Sequence, residues 1–524
     1  MMRKKMVMKS LFAGALLALS GTLLAQPLVM DERGLQLRAA DGRELDRLPL
    51  RAKRWDQRGD QALLADANSG ELLWVEAAGE RLRIKRRWQP KDVEIECLAL
   101  YRDAQGLLQA LLLGDDGRSQ HWLLDGPAPR LIRPWATPPK PQACAVRDAE
   151  AQLYVAEEGV GLWQIDADAE REGRRLLIAD PVADAKTLSA WLAAHPQKAG
   201  SPLPLLLPSA QTDPVSGYGD AADDPAIWVH PRQPARSLVL GTNKKQGLLV
   251  YDLQGRQRQF LAVGRVNNVD LRQGLRYGAQ TLDLAVATQR DEAVIVLFGI
   301  ARDNGRVREL ARLPTGLDDV YGVCSLRNAA GRLEVLVNDK EGRVRQFEIL
   351  RERDRWQAAL RRELRLPSQP EGCVVDEASG QLFIGEEDAG IWRLAAAADA
   401  KAVPELVIPL SEQLHADVEG LAVYRGGGEA LLVVSSQGND SYALYELAPP
   451  HRPRGSFRIG INAAAGIDGA SETDGLEVTS ANLGGPYRDG LLVVQDGRNN
   501  LPRSPQNFKF VPWSAVIQSM SLKR

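Results

Sequence analysis

Residues 219–231, GDAADDPAIWVHP, place three aspartates, Asp220, Asp223 and Asp224, within five positions ahead of an apolar run. A turn uses aspartate to hydrogen-bond its own backbone and rarely needs three. Further acids recur at comparable places: Glu371 in PEGC, Glu386-Glu387-Asp388 in GEEDAG, Asp417 and Glu419 in HADVEG, Asp474 in SETDGLEV and Asp496 in VVQDG. No cysteine or paired histidine has metal-ligand spacing, and the five histidines are scattered. His230 and His415, near the acids, read as surface histidines. An all-oxygen donor set suits a hard cation, Ca²⁺ better than Mg²⁺. Solvated turn acids account for two or three of these positions but strain to account for all. Basic residues stand at similar strand ends: Lys244 and Lys245 in TNKKQG, Arg290 in ATQRDE, Lys340 in NDKEGR and Lys509 in NFKFVPW. Ammonium, guanidinium and metal together clamp phosphate oxygens, so this combination suits a highly anionic substrate.

Those residues need a frame that makes them converge. From residue 205 onward, short runs such as SLVLGTN, TLDLAVAT, LEVLVND, QLFIGEE and ALLVVSS alternate with Gly, Asp and Asn turns. At about ten-residue spacing this reads as consecutive antiparallel hairpins. Turn-plus-strand units recurring every ~50 residues indicate propeller blades, about six of them over 211–524. Equivalent blade positions then meet at one mouth of the central channel, where clustered carboxylates repel unless cations neutralise them.

An internal repeat extends the pattern upstream. PQACAVRDAEAQLYVAEEGVGLWQID (141–166) matches PEGCVVDEASGQLFIGEEDAGIWRLA (370–395) without a gap. Upstream, CLALYRDAQGLLQALLLGDDGRSQHW (97–122) follows CSLRNAAGRLEVLVNDKEGRVRQF (324–347) after small shifts, so Cys97 corresponds to Cys324 and Cys144 to Cys373. One disulfide per copy is expected, Cys97–Cys144 and Cys324–Cys373, with free buried thiols as the alternative. Residues 27–185 are too short for a ring and read as a partial propeller of about three blades. A short helical stretch and a proline-rich linker over 186–210 separate the copies. The fold class is therefore all-β: a six-bladed β-propeller preceded by a partial propeller-like β domain.

The first 25 residues read as a signal peptide, with a basic start, an apolar run too short for a membrane span and a small-residue cleavage site. An exported chain, periplasmic or secreted, with no stable membrane association after cleavage, permits disulfides. The net charge of −2 excludes a polyelectrolyte signature for nucleic acid.

In order, GDAADDPAIW, TNKKQGLLVYDLQG, VNNVDLR, DDVYGV, PEGCVVDEASGQLFIGEEDAGIW, DVEGLAVY, LLVVSSQGNDSYALYE, SETDGLEV, LLVVQDG and QNFKFVPW resemble the β-propeller phytases. The resemblance covers about 213–517. It implies a calcium-dependent 3-phytase that removes phosphates from myo-inositol hexakisphosphate (phytate), preferably as its calcium salt, acting as a monomer. Carried over by position, it implies catalytic calcium on Asp223, Glu371, Glu387, Asp417 and Glu419, with Asp220, Asp224 and Asp474, and Gln437 beside them, as further metal-site neighbours among which adjacent acids divide structural and catalytic calcium. Lys244, Lys245, Arg290 and Lys340 fall on the phosphate side with Lys509, and Tyr321 at the same cluster; Glu387 is expected among the catalytic groups. Metal-activated water is then the nucleophile, with no covalent intermediate. The absence of an RHGxRxP run and of a cysteine followed six positions on by arginine agrees with that.

The upstream copy lacks these residues: Gln142 stands for Glu371, Ala143 for Gly372, and nothing matches DAADDPA or TNKK. It is expected to have no phosphatase activity of its own. Two alternatives share the fold: a non-catalytic, calcium-loaded propeller that binds inositol phosphates, and a calcium-propeller hydrolase of lactones or phosphotriesters. The lysines, arginine and tyrosine beside the acids favour the phosphomonoesterase, since a nearly neutral substrate needs fewer cations.

Overall fold

The computed structural model describes residues 28–179, 182, 184–196 and 203–523. The expected signal peptide and residues 197–202 of the expected linker lie outside them. The chain parts between Gln89 and Pro90 into two compact units. The first holds a three-stranded antiparallel sheet over 28–48 and a four-stranded one over 52–88. The expected boundaries at 185 and 211 fall inside the second unit.

Six sheets over 205–512 carry the second unit. Their innermost strands are β1 (Ala222–Trp228), β2 (Val266–Tyr277), β3 (Val320–Arg327), β4 (Pro370–Asp376), β5 (Val418–Gly426) and β6 (Leu476–Thr479). Each contacts the next, and β6 contacts β1. A separate apolar cluster fills every junction between neighbouring sheets, including the closing one, where Ile227, Val239 and Tyr251 meet Val493, Phe508 and Phe510. Each sheet is thus covered on both faces. That is why strands such as Leu333–Asp339 and Leu491–Asp496 are buried at every position and read as continuous apolar runs rather than alternating ones.

Part of the expected linker belongs to the ring. Leu205–Leu206 pairs in parallel with Arg458–Ile459, and Ala210–Gln211 pairs antiparallel with Lys509–Phe510. The latter supplies the fourth strand of the last sheet and ties the two ends of the ring together. Two-residue strands carry no readable periodicity, so only tertiary pairing reveals them. The expected short helix is Ala185–Ala194, opened by a capping box in which Thr187 N–H donates to Asp184 (2.8 Å) and Asp184 N–H to Thr187 (3.0 Å).

Two further four-stranded sheets, over 95–136 and 141–179, precede the ring in the same unit. They pack on it through Leu123, Ile132 and Ala169 against Ile461 and Leu501. Gln105 brackets the backbone of Ile461, accepting from its N–H (2.8 Å) and donating to its carbonyl (3.1 Å). Arg458 pairs with Asp168 at 3.2 Å. Both expected disulfides are formed, each joining the first strands of adjacent sheets, with Cα separations of 6.0 Å for Cys97–Cys144 and 5.6 Å for Cys324–Cys373.

Candidate active site

One local device recurs around the ring. The pairing of β1 to β5 with the next strand slips between Ala222 and Pro225, Val266 and Val269, Val320 and Val323, Pro370 and Cys373, and Val418 and Leu421. A bulge leaves residues out of the ladder and re-aims their side chains. The first residue out of the ladder is Asp223, Asn267, Tyr321, Glu371 or Glu419, and Asp474 takes the corresponding place just ahead of β6. Four of these six are carboxylic acids.

Behind them the strands must nearly touch. A Cβ on Gly322 would lie 1.9 Å from the Glu371 carbonyl oxygen, and one on Gly372 2.3 Å from that of Glu419. Glycine there lets each acid-bearing backbone rest on the next.

Glu371, Glu387 and Glu419 each offer a carboxylate oxygen within 4.8 Å of the others. Asn267 donates to Glu371 at 2.8 Å and Gln369 to Glu387 at 2.5 Å. Lys244 reaches Asp474 (2.7 Å), Asp220 (3.0 Å) and Asp223 (3.6 Å), and Gln437 donates to Asp474 at 2.7 Å. Both oxygens of the fully buried Asp223, and Oε2 of Glu419, lack a hydrogen-bond partner. On the cationic side, Lys340 Nζ sits 4.5 Å and the Arg290 guanidinium 5.7 Å from the centre of the Tyr321 ring. Lys245 is exposed and donates to the Tyr218 carbonyl at 2.5 Å.

The electrostatics follow from burying many like charges. Burial, with Gln369 opposing and Glu371 and Asp417 adding, pushes Glu387 up to about 7. Burial likewise lifts Asp474 to about 6 against the pull of Lys244, and raises Asp417. Asp223 and Glu419 are driven up by burial and then by neighbouring acids, Lys244 opposing at Asp223. Burial works against the Lys244 ammonium, but Asp223, Asp474, Glu371 and Asp220 outweigh it and raise its pKa. Burial first, then Glu371, Glu419 and Asp223, push the Tyr321 phenol up. So many inward carboxylates with unpaired oxygens and one ammonium among them form a site short of positive charge. The all-oxygen donor set and the orphaned oxygens of Asp223 and Glu419 fit a hard divalent cation.

Asp223 and Asp224 part, and two further expectations change. The Asp224 carboxylate accepts from Val269 N–H at 3.0 Å and lines a separate cavity of about 440 Å³ with Asp270, Arg272 and Glu477. Adjacent residues of a bulged strand diverge, which residue type alone does not reveal. Lys509 is not at the mouth. It is sealed from solvent between Asp468 (2.5 Å) and Asp496 (3.0 Å), and also donates to Gln211 (2.8 Å). Glu170 joins that sealed group, accepting from Ser471 at 3.0 Å. His230 is buried rather than superficial, its Nε2 3.2 Å from the Asp303 carbonyl. The donors Asn267 and Gln369 had no assigned role, although VNNVDLR contains the first; their signal is only that an inward carboxylate needs a partner.

The phytase family model matches residues 189–523. The chain is 38% identical over 322 residues to the 3-phytase of Bacillus subtilis (strain 168), covering 59% of this chain and 84% of the relative. A structure of a functionally unknown protein from Desulfotomaculum acetoxidans covers 68% of this chain and 96% of its own at 10% identity, but its TM-score of 0.34 carries no argument. On the extent of the family match and the length shared with the Bacillus enzyme, the chain belongs to the phytase family.

Proposed function

We propose that the chain is a calcium-dependent 3-phytase that hydrolyses phosphomonoesters of phytate at the mouth formed by β1 to β6. The observation that carries this reading is the meeting of Glu371, Glu387 and Glu419 within 4.8 Å beside buried carboxylate oxygens that lack a hydrogen-bond partner, with Lys244 among the acids and Lys340 and Arg290 against Tyr321. Glu371, Glu387, Glu419, Asp223, Asp417 and Asp474 would hold calcium. Asp220 is already engaged by Lys244, which offsets part of the negative charge when the acids are ionised. When bound, calcium supplies Lewis-acid charge and makes water a nucleophile near neutral pH.

The chain's own groups do the rest. Arg290 and Lys340 flank Tyr321 and present cationic donors to the non-bridging phosphate oxygens, with Lys245 exposed nearby. Such donors gain strength as charge builds on those oxygens during in-line displacement. Asn267 and Gln369 keep Glu371 and Glu387 aimed inward.

The domain assignment is part of the proposal. Residues 211–524 carry the activity. Residues 27–185 are a degenerate copy without phosphatase activity of its own, in which Gln142 holds the place of Glu371. The two disulfides agree with export to the periplasm or medium. Among the described residues no helix is long and apolar enough to cross a membrane.

The test is phosphate release from phytate at neutral pH, with calcium and then with excess chelator. Calcium-dependent release lost in Lys244→Ala and Glu387→Gln is the expected result. Tight phytate binding without release would leave a binding module. Neither binding nor release by folded, calcium-loaded protein would turn attention to lactones and phosphotriesters.

A further inference from the structure

A cleft of about 370 Å³ lies between the sheets over 95–179 and the ring loop over 497–506. Its wall carries Arg133, Arg171, Arg175, Arg498 and Arg503 against one carboxylate, Glu172. Two of the arginines are held in place. Arg133 donates to the carbonyls of Ala169 (3.2 Å) and Asp168 (3.3 Å) and lies 4.8 Å from the Trp135 ring, while its buried Nε–H has no acceptor. Arg498 donates to Glu472 and to the Glu170 carbonyl (3.1 Å).

The other three stand nearer solvent. Among the described residues, Arg175 donates to the Ala136 carbonyl (2.6 Å), Arg171 is 3.9 Å from Asp168, and exposed Arg503 has no ion-pair partner. Several guanidinium groups converging on one recess, one with an unused buried donor, leave it short of acceptors. A planar fork of donors matches the oxygens of phosphate and carboxylate bidentately.

The recess also adjoins the candidate active site. Tyr218 and Gly219 form part of its wall, and Lys245 donates to the Tyr218 carbonyl. Gln506, also on the wall, accepts from Ala221 N–H (2.7 Å) and Ala222 N–H (2.9 Å), immediately before Asp223. One segment, 218–222, therefore runs from the cleft to the acid cluster.

We propose that this cleft is a second anion subsite, built jointly by the upstream sheets and the ring, that takes phosphate groups of an inositol polyphosphate. The proposal rests on the phytase reading above. It assigns the sheets over 95–179 a part in gathering substrate while the chemistry stays at the ring's mouth. A small monophosphate, with one phosphate to place, has no use for a second subsite.

The test compares full-length wild type with Arg171→Glu/Arg503→Glu and Arg171→Lys/Arg503→Lys, using phytate and p-nitrophenyl phosphate as substrates. Reversing both charges should raise KM for phytate about tenfold or more, as expected for lost charge-assisted contacts. It should leave kcat for phytate, and both constants for p-nitrophenyl phosphate, unchanged. The lysine pair, which keeps the charge, should fall between. Unchanged KM for phytate, equal impairment on both substrates, or a lysine pair as poor as the glutamate pair would each overturn the subsite. Should wild type release no phosphate from phytate, the phytase reading fails by itself. Calorimetric titration of wild type with phytate then decides the cleft: binding weakened in the glutamate pair supports it, and absent or unaltered binding overturns it.

Discussion

Gly372→Ala isolates what the ring contributes to the acid cluster. The added Cβ would sit 2.3 Å from the Glu419 carbonyl oxygen and 3.1 Å from the Gly420 Cα. Both are backbone atoms, so no rotamer change relieves the contact. Ordinary contact begins at 3.4 Å; the strand carrying Glu419 must therefore retreat by about 1.1 Å, or β4 must move with Glu371. Overpacking of this kind costs about 1–3 kcal/mol of stability. A misplacement of about 1 Å among reacting groups costs about a hundredfold in rate. Activity should thus fall far more than stability. The assay pairs initial rates of phosphate release from phytate, across a calcium titration, with calorimetric unfolding of the same samples. Gly299→Ala is the control, because the three atoms nearest its Cβ would all belong to the Leu310 side chain, at 3.1 Å and beyond, which can yield. A Gly372→Ala protein with wild-type kcat/KM and unaltered calcium dependence would refute the reasoning, since the spacing of β4 and β5 would then not set the site.

The buried acids make stability depend on pH when calcium is chelated. Glu387 is raised from 4.5 to about 7 and Asp474 from 3.8 to about 6. The folded protein therefore keeps protons that the unfolded chain has released. That relation destabilises the fold as pH rises from the ordinary carboxyl range through about 7. Calorimetry in chelator should show Tm falling between pH 5 and pH 7, with the fall reduced when calcium is saturating; a flat or rising Tm in chelator would contradict it. Removing the ring's disulfide with Cys324→Ser/Cys373→Ser opens a loop with a sequence separation of 49. Chain entropy alone sets the loss at about 4 kcal/mol, read by denaturant unfolding, and a change under about 1 kcal/mol would mean that the packing between β3 and β4 already confines those ends.

Much of the frame was legible because it rests on local chemistry. Turn residues at regular spacing and unbroken apolar runs specify antiparallel sheets, and the internal repeat, which places two cysteines in each copy, pairs them correctly. Lys509 and Asp224 show where residue type stops informing. NFKFVPW offers a lysine on a strand, but alternation does not say whether its face meets solvent or the Asp468–Asp496 pair. DDP offers two adjacent aspartates, and only the bulge decides that Asp223 joins Lys244 while Asp224 turns toward Val269. Residues 205–211 are similar: two short strands form there because partners some 250 to 300 residues away supply the pairing.

By itself the sequence determined the donor chemistry, the class of fold and the cysteine pairing, since these depend on residue type and local spacing. Tertiary structure alone decided which acids share a site, which lysine is sealed, and that the upstream sheets bring arginines beside segment 218–222. Those are distances between residues far apart in the chain, and they exist only once strand register and ring closure are set.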